Sequence, residues 1–285
     1  MVPGLLSCKY PHWTSERIVC LFSSFRLLHG FPQSRHIWHK VAPELSKSYT
    51  IIAPDLRGYG ESSKPSSGYV KSLMAKDMST LMSKMNFSSY FICAHDRGAR
   101  VAHKLLVDNP EPVKKAIFLD IAPTLKMFES TDQEFATAYF HWFFLIQPAP
   151  FPEKTITQNA KQFAEFFMGA RWGGLKHFHP DALAYYVKVM GQEDAAHAMC
   201  EDYRAAADGD LEEARNDIKA GKLIQTPLRV LWGKHGIIEK CFDAVKNWQE
   251  VSNSTVDGNA VESGHCQLFQ NPSSSQSLTS RFRYP

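Results

Sequence analysis

Residues Tyr90 to Arg100 read Tyr-Phe-Ile-Cys-Ala-His-Asp-Arg-Gly-Ala-Arg. The run Tyr90 to Ala94 is short, continuous and apolar, and it ends at the polar pair His95-Asp96. A run of that kind is the mark of a parallel strand buried on both faces. The next residues follow a second pattern. Ala94-His95-Asp96-Arg97-Gly98 is a small residue, any residue, a nucleophilic side chain, any residue, then glycine. That spacing suits a sharp strand-to-helix turn whose central side chain stands clear of the backbone. Here the central side chain is a carboxylate. An aspartate at a helix N-cap fits the same place, so the turn alone leaves two readings open.

The flanking sequence repeats the strand theme. Arg26-Leu27-Leu28 runs into His29-Gly30, Tyr49 to Ala53 into Pro54-Asp55, Ala116 to Leu119 into Asp120, and Leu228 to Trp232 into Gly233. Between the third and fourth runs, Val101, Leu105 and Leu106 form a helical stripe that Asn109-Pro110 stops. Strand, helix, strand in that order predicts right-handed crossovers and a mostly parallel central sheet flanked by helices. Functional groups then belong at the carboxyl ends of the strands, where His29, Asp55, Asp96 and Asp120 fall.

From about Pro123 to Arg215 the texture changes. Strand-like runs vanish, and aromatics crowd in at Phe128, Phe135, Tyr139, Phe140, Trp142, Phe143, Phe144, Phe163, Phe166 and Phe167. Helical spacing is common there, with breaks at Pro148, Pro150, Pro152 and Gly173-Gly174. The segment reads as a helical cap inserted into the sheet domain, most of its aromatics being cap core. The division expected is 1–122 for the first part of the sheet core, 123–215 for the cap and 216–285 for the second part.

Bulk composition narrows the class. The chain has 285 residues, 44% of them hydrophobic and 21% charged, which suits a globular protein with a sizeable core. The net charge is +3 and no dense basic run occurs, so nucleic acid is not an expected partner. Cysteines stand at Cys8, Cys20, Cys93, Cys200, Cys241 and Cys266, with no close Cys-x-x-Cys pair. Scattered thiols predict a reducing, cytoplasmic setting and no metal or redox motif. The early apolar stretches Ile18 to Phe22 and Phe25 to Leu28 are too short to span a bilayer. They also lack a basic leader and a cleavage site, so neither membrane nor secretory targeting is expected. The Ser- and Thr-rich stretch from Ser273 to Ser280 reads as a solvated tail.

Three features favour a nucleophile at Asp96 over a simple cap. His29-Gly30-Phe31-Pro32 resembles the loop that donates an oxyanion-hole N–H in the α/β-hydrolase fold. Asp120 ends the strand after the turn, and His265, in Ser263-Gly264-His265, lies near the C-terminus. Nucleophile, acid, histidine is the chain order of that fold. A carboxylate nucleophile has its own logic. A serine attacking an sp³ carbon would form an ether that water cannot readily open. An aspartate forms an ester, and it is already ionised at neutral pH. His265 is then free to activate water, with Asp120 fixing its tautomer. The backbone N–H groups of Phe31 and Arg97 would hold the oxyanion. This predicts substitution at an alkyl carbon rather than ester hydrolysis.

His29-Gly30-Phe31-Pro32-Gln33, Asp55-Leu56-Arg57-Gly58-Tyr59-Gly60-Glu61-Ser62 and above all His95-Asp96-Arg97-Gly98-Ala99-Arg100 resemble the fluoroacetate (haloacetate) dehalogenases. The likeness runs over roughly residues 27 to 270. The paired arginines are its most specific part, because epoxide hydrolases and haloalkane dehalogenases usually carry Trp after the nucleophilic Asp. The resemblance implies that Arg97 and Arg100 bind the substrate carboxylate, a guanidinium fork matching it bidentately. It implies a halide pocket of His141, Trp142 and Tyr203, whose ring N–H and O–H groups would receive a small, strongly hydrated fluoride. It implies no metal or organic cofactor, a small-molecule substrate and a possible homodimer. The stretch Trp232-Gly233-Lys234-His235-Gly236 has no carboxylate until Glu239, which leaves the acid role to Asp120.

Departures from the family pattern are also visible. Cys8, Pro11, Trp13 and Cys20 show no alternating strand pattern, so the first edge of the sheet is expected to be incomplete. Ala94 replaces the usual glycine of the elbow, which predicts strain there. Cys266 and the Ser-rich tail replace an aromatic residue and a final helix. The expected activity is hydrolytic dehalogenation of a short 2-haloacid, fluoroacetate being favoured. Its rivals are an epoxide hydrolase, with Tyr203 and either Tyr139 or Tyr185 as ring-protonating phenols, and a catalytically decayed binding protein of the same fold.

Overall fold

The computed structural model describes residues 24–169 and 174–265. The features noted at Cys8, Pro11, Trp13, Cys20, Gly173, Cys266 and the Ser-rich tail lie outside those residues. Among the described residues six strands form one sheet: β1 (Ser24–Leu28), β2 (Thr50–Ile52), β3 (Tyr90–His95), β4 (Val113–Leu119), β5 (Leu228–Gly233) and β6 (Val256–Val261). Their order is β2-β1-β3-β4-β5-β6, and every neighbouring pair runs parallel. The expected parallel architecture is present, and the five predicted runs all lie in it.

Each central strand is apolar on both sides because helices cover both faces. In β1, Phe25 and Leu27 join one cluster with Ile37, Trp38 and Leu45 of the segment after the strand. Leu28 faces the opposite cluster with Ala99 and Val101. Helices α1 (Ala42–Leu45), α2 (Lys71–Lys84) and α3 (Arg97–Asp108) belong to this first half. In α3 the buried residues Val101, Ala102, Leu105 and Leu106 recur at helical spacing. Burying a side chain such as Leu105 stabilises by roughly 1.5–3 kcal/mol. The helix ends at Asn109, before Pro110, as the sequence indicates.

Two elements are not evident as apolar runs. α2 buries Met74, Ala75, Met78 and Met82, a methionine stripe diluted by lysines and serines. β6 reads Val-Asp-Gly-Asn-Ala-Val and is half-buried at the end of the described sheet, so no apolar run marks it.

Between β4 and β5 the described residues form eight α-helices: α4 (Thr124–Glu129), α5 (Gln133–Ala138), α6 (Phe140–Leu145), α7 (Phe151–Gln158), α8 (Ala160–Gly169), α9 (Pro180–Met190), α10 (Glu193–Ala207) and α11 (Gly209–Lys219). The boundary read at residue 215 falls inside α11. Phe135, Tyr139, Trp142 and Phe167 are buried in this insertion, while Phe140 and Phe166 remain partly exposed. After β5 come α12 (Ile237–Cys241) and α13 (Ala244–Gln249). No helix among the described residues is long and apolar enough to cross a membrane.

The register decides where chemistry can occur. Leu28 pairs with Ala94, His95 with Leu119, and Leu119 with Leu231. The residues just past those strand tips, His29, Asp96 and Asp120, are therefore brought to one edge of the sheet. That is the carboxyl edge, where such folds bind ligands.

Candidate active site

Asp96 occupies the turn between β3 and α3 with φ +46° and ψ −116°. A positive φ is costly for any residue with a Cβ, and such strain gathers at functional sites. The strain lies on Asp96 itself. Ala94, where it was expected, sits fully buried in β3 with an ordinary φ. Glycines permit the close approach on either side. A Cβ on Gly98 would stand 2.4 Å from the His29 carbonyl oxygen, and one on Gly30 would stand 2.5 Å from the Asp96 Cβ. Both contacts are forbidden, so the helix and the loop can crowd the turn only as glycines.

The loop after β1 supplies a donor. The Phe31 N–H donates to Asp96 Oδ1 at 2.9 Å. Arg97 opens α3, so its N–H has no acceptor within the helix. His29 braces this loop: its Nε2 accepts from the Leu56 N–H at 3.0 Å, and its Nδ1 lies 3.0 Å from the Gly30 carbonyl. Asp55 is a brace too. It accepts the backbone N–H groups of Arg35 and Glu61, and it pairs with the Arg35 guanidinium.

His265 lies shortly after β6, and its Nδ1 is 2.5 Å from Asp120 Oδ2. The other Asp120 oxygen accepts the Gly233 N–H at 2.7 Å. A carboxylate only accepts, so the proton between the pair sits on Nδ1 and leaves Nε2 as a base. Glu239, the later acid, instead accepts from the Trp232 indole N–H. Asp96 and His265 line one small cavity of about 10 Å³ with Phe31, Pro32, Tyr139, His141, Phe167 and Tyr203. That is room for one water-sized group. Tyr139, Phe167 and His265 also line a larger space of about 350 Å³ beside it, together with Phe140, Phe166 and Lys240.

Burial by itself would raise the Asp96 carboxyl. The positive fields of His265, His95, Arg100 and Arg97 outweigh it and hold the group below the usual carboxylate range. His95 is buried with its ring centroid 4.6 Å from that of His265. Burial, and then repulsion from His265, push its pKa down to about 3.

The arginine pair departs from the expected geometry. Arg97 is fully buried, and the edge that would grip a substrate is already engaged. Its Nε and Nη2 each donate to the Asp202 carboxylate at 2.8 Å, and Nη2 also donates to the Asp202 carbonyl at 2.6 Å. Of its three nitrogens, Nη1 alone has no hydrogen-bond partner among the described residues. Arg100 donates from Nη1 to Thr124 Oγ1 at 2.8 Å, contacts the Met127 sulfur through Nη2, and keeps Nε without a partner. Each guanidinium thus has part of its donor set available, not the whole fork.

The expected halide group is brought together unevenly. His141 and Tyr203 line the cavity, 5.7 Å apart between ring centroids. Trp142 stands behind them, 6.3 Å from the Tyr203 ring, with the Arg100 guanidinium 4.7 Å from its own. The Trp142 indole N–H and the Tyr203 hydroxyl have no hydrogen-bond partner among the described residues. Of the phenols considered for epoxide opening, Tyr139 and Tyr203 line the cavity. Tyr185 does not; its ring packs 4.8 Å from His36.

Sequence reasoning passed over Asp202, which holds Arg97, and Lys71 and Tyr59, which in turn hold Asp202. Asp202 sits in Glu201-Asp202-Tyr203-Arg204, where a lone acid cannot be told from a solvated helix charge. Burial of a lysine on α2 gives no sequence signal either.

Comparison with known proteins agrees with the geometry. A model of the alpha/beta hydrolase fold family matches residues 25–272. A fluoroacetate dehalogenase of Burkholderia sp is 41% identical over 229 residues, which span 78% of this chain and 74% of that protein. A soluble epoxide hydrolase of Corynebacterium sp. (strain C12) is 32% identical over 243 residues, 84% of this chain and 82% of that protein. Among solved structures, a candidate α/β hydrolase from Nostoc sp PCC 7120 superposes with a TM-score of 0.86 at 43% identity, over 92% of this chain and 91% of that one. With a parallel sheet of the right order and a family match across nearly its whole length, the chain belongs to the alpha/beta hydrolase fold family and is a hydrolase of that fold.

Proposed function

We propose that the protein removes halide from a short 2-haloacid, fluoroacetate above all, through an ester formed on Asp96. One observation carries the reading. A buried, ionised carboxylate lines a water-sized site with Tyr203, and behind that lining stand Arg97, Arg100 and Trp142; Arg97 Nη1, Arg100 Nε, the Trp142 indole N–H and the Tyr203 hydroxyl have no hydrogen-bond partner among the described residues. Leaving such donors unpaired costs roughly 1–3 kcal/mol each. A ligand with a carboxylate at one end and a small anion leaving from the other would satisfy them all.

The steps follow from atom placement. Asp96 attacks the halogen-bearing carbon in line, and the C–halogen bond breaks with its electron pair. The halide is received by His141, Trp142 and Tyr203, while Arg97 and Arg100 hold the carboxylate. Water then loses a proton to His265 Nε2 and attacks the Asp96 carbonyl carbon. Asp120 supports the resulting imidazolium. The N–H groups of Phe31 and Arg97 hold the oxyanion until the ester C–O bond breaks, the His265 imidazolium gives its proton to the departing alkoxide oxygen, and glycolate leaves. The helices from residue 123 onward act as a cap that keeps bulk water from the halide site.

A second reading has a specific observation in its favour. Tyr139 and Tyr203 both face the site that holds Asp96, as an epoxide-opening pair would. Ion-selective measurement of fluoride from fluoroacetate, beside a diol assay on styrene oxide, decides between them. Fluoride without diol is the expected result. Diol without fluoride replaces the haloacid reading with the epoxide one, and neither product points to a binding protein. A single turnover in ¹⁸O-water checks the route: the label should enter the Asp96 carboxylate before it appears in glycolate.

A further inference from the structure

We infer that Asp202 is a positioning residue that aims Arg97, and that it thereby sets how tightly the site holds a carboxylate. The inference deepens the haloacid reading and rests on it. Asp202 belongs to α10 of the insertion, next to Tyr203, yet its carboxylate reaches down to the sheet domain. It is fully buried and accepts four hydrogen bonds: from Tyr59 Oη at 2.7 Å, Arg97 Nε at 2.8 Å, Arg97 Nη2 at 2.8 Å and Lys71 Nζ at 2.6 Å. Four is about the full acceptor capacity of a carboxylate. The group therefore has no freedom to swing, and neither has the guanidinium it grips.

The consequence for Arg97 is directional. With Nε and Nη2 engaged, the plane of the guanidinium is set, and its Cζ lies 4.3 Å from the Tyr203 ring centroid. Nη1 is the one Arg97 nitrogen that no described residue engages, and so the one left to meet a ligand. Lys71 is held between Asp202 and Asp210, at 2.6 and 3.1 Å, so its charge is matched. Arg100 makes no salt bridge with a carboxylate among the described residues. A bound carboxylate thus takes its counter-charge from Arg100 and a directed N–H from Arg97, and Asp202 decides where that N–H points.

A merely structural Asp202, tying the insertion to the sheet domain, would change melting temperature but not ligand affinity in the folded protein. The test therefore reads affinity. Acetate, an unreactive carboxylate of the substrate's size, is titrated calorimetrically into the full-length wild type, Asp202→Asn and Tyr59→Phe, and fluoride release from fluoroacetate is measured on each. Asn cannot accept from Lys71 and Arg97 with both terminal atoms, so Arg97 should reorient.

The acetate Kd and the fluoroacetate KM should rise together, about tenfold or more in Asp202→Asn and about two- to threefold in Tyr59→Phe, with kcat changing less. In an Arg97→Gln background, Asp202→Asn should add nothing further, as expected of two residues acting as a unit. Folded variants whose Kd and KM stay within about twofold of wild type overturn the inference, as does full additivity with Arg97→Gln. If Asp202→Asn does not fold, Tyr59→Phe alone and with Arg97→Gln carries the same comparison. Acetate binding without any halide release sinks the haloacid reading but leaves the role of Asp202 measurable. No acetate binding by the wild type overturns both.

Discussion

Asp96 sits where two opposing effects meet, burial raising its pKa and the surrounding positive groups lowering it more. The sign of the outcome makes a prediction. A carboxyl held below its ordinary range stays ionised as pH falls, so formation of the ester in a single turnover should be flat between about pH 8 and 5. A loss of alkylation rate within that window would contradict an ionised Asp96. Asp96→Asn should lower turnover by at least about a thousandfold, because an amide is a poor nucleophile. His265→Ala should stop the cycle at the ester, seen as a carboxymethyl group added to the intact mass. At the proposed halide site, Tyr203→Phe removes a donor while keeping the ring. We expect roughly a 10- to 100-fold loss of kcat on fluoroacetate and a smaller one on chloroacetate, since fluoride depends more on hydrogen bonds.

Elements act here through how closely they approach one another. α3 meets the end of β1 at Gly98, where a methyl would fall 2.4 Å from the His29 carbonyl. Gly98→Ala should cost about 1–3 kcal/mol and lower Tm at roughly 2–4 °C per kcal/mol. It should also cut activity more than the lost stability explains, because the turn it displaces carries Asp96 and the loop it pushes against carries the Phe31 N–H. Thermal melts and fluoride release on one sample test both parts. β6 shows the same demand without any chemistry: a Cβ on Gly258 would stand 2.2 Å from the Val230 carbonyl. That glycine, with its Asp and Asn neighbours, is why β6 gave no apolar run. The strand forms because β5 offers a parallel partner, not because its residues prefer it. The strands β1 to β5 were legible because two-sided burial leaves a continuous apolar run. α3 was legible because one face is buried.

Across the whole molecule, histidines withdrawn from solvent, His95 fully and His103 in part, couple stability to pH. Burial lowers His95 to about 3 and His103 to about 4, from an ordinary 6.5. Depressed bases stay neutral in the fold while the unfolded chain takes up protons. Their contribution is fully present above pH 6.5 and is lost as pH falls toward those native values. With two such groups the slope is on the order of 2–3 kcal/mol per pH unit at most. Tm should therefore fall from pH 7 to 5, and His103→Gln, midway along α3 against Trp248 and outside the lining of the Asp96 cavity, should flatten the slope without altering the alkylation step. A Tm independent of pH over that span would contradict it. The sequence by itself determined the parallel sheet, the helical insertion and the residues at the strand tips. Those follow from local burial patterns, turn chemistry and chain order. Only the tertiary structure decided that Arg97 is held by Asp202, that Trp142 stands behind Tyr203, and that strain falls on Asp96 and not on Ala94. A buried ion pair between residues 105 positions apart leaves no periodicity to read. It is selected only when packing brings the two charges together and removes the water that would have screened them.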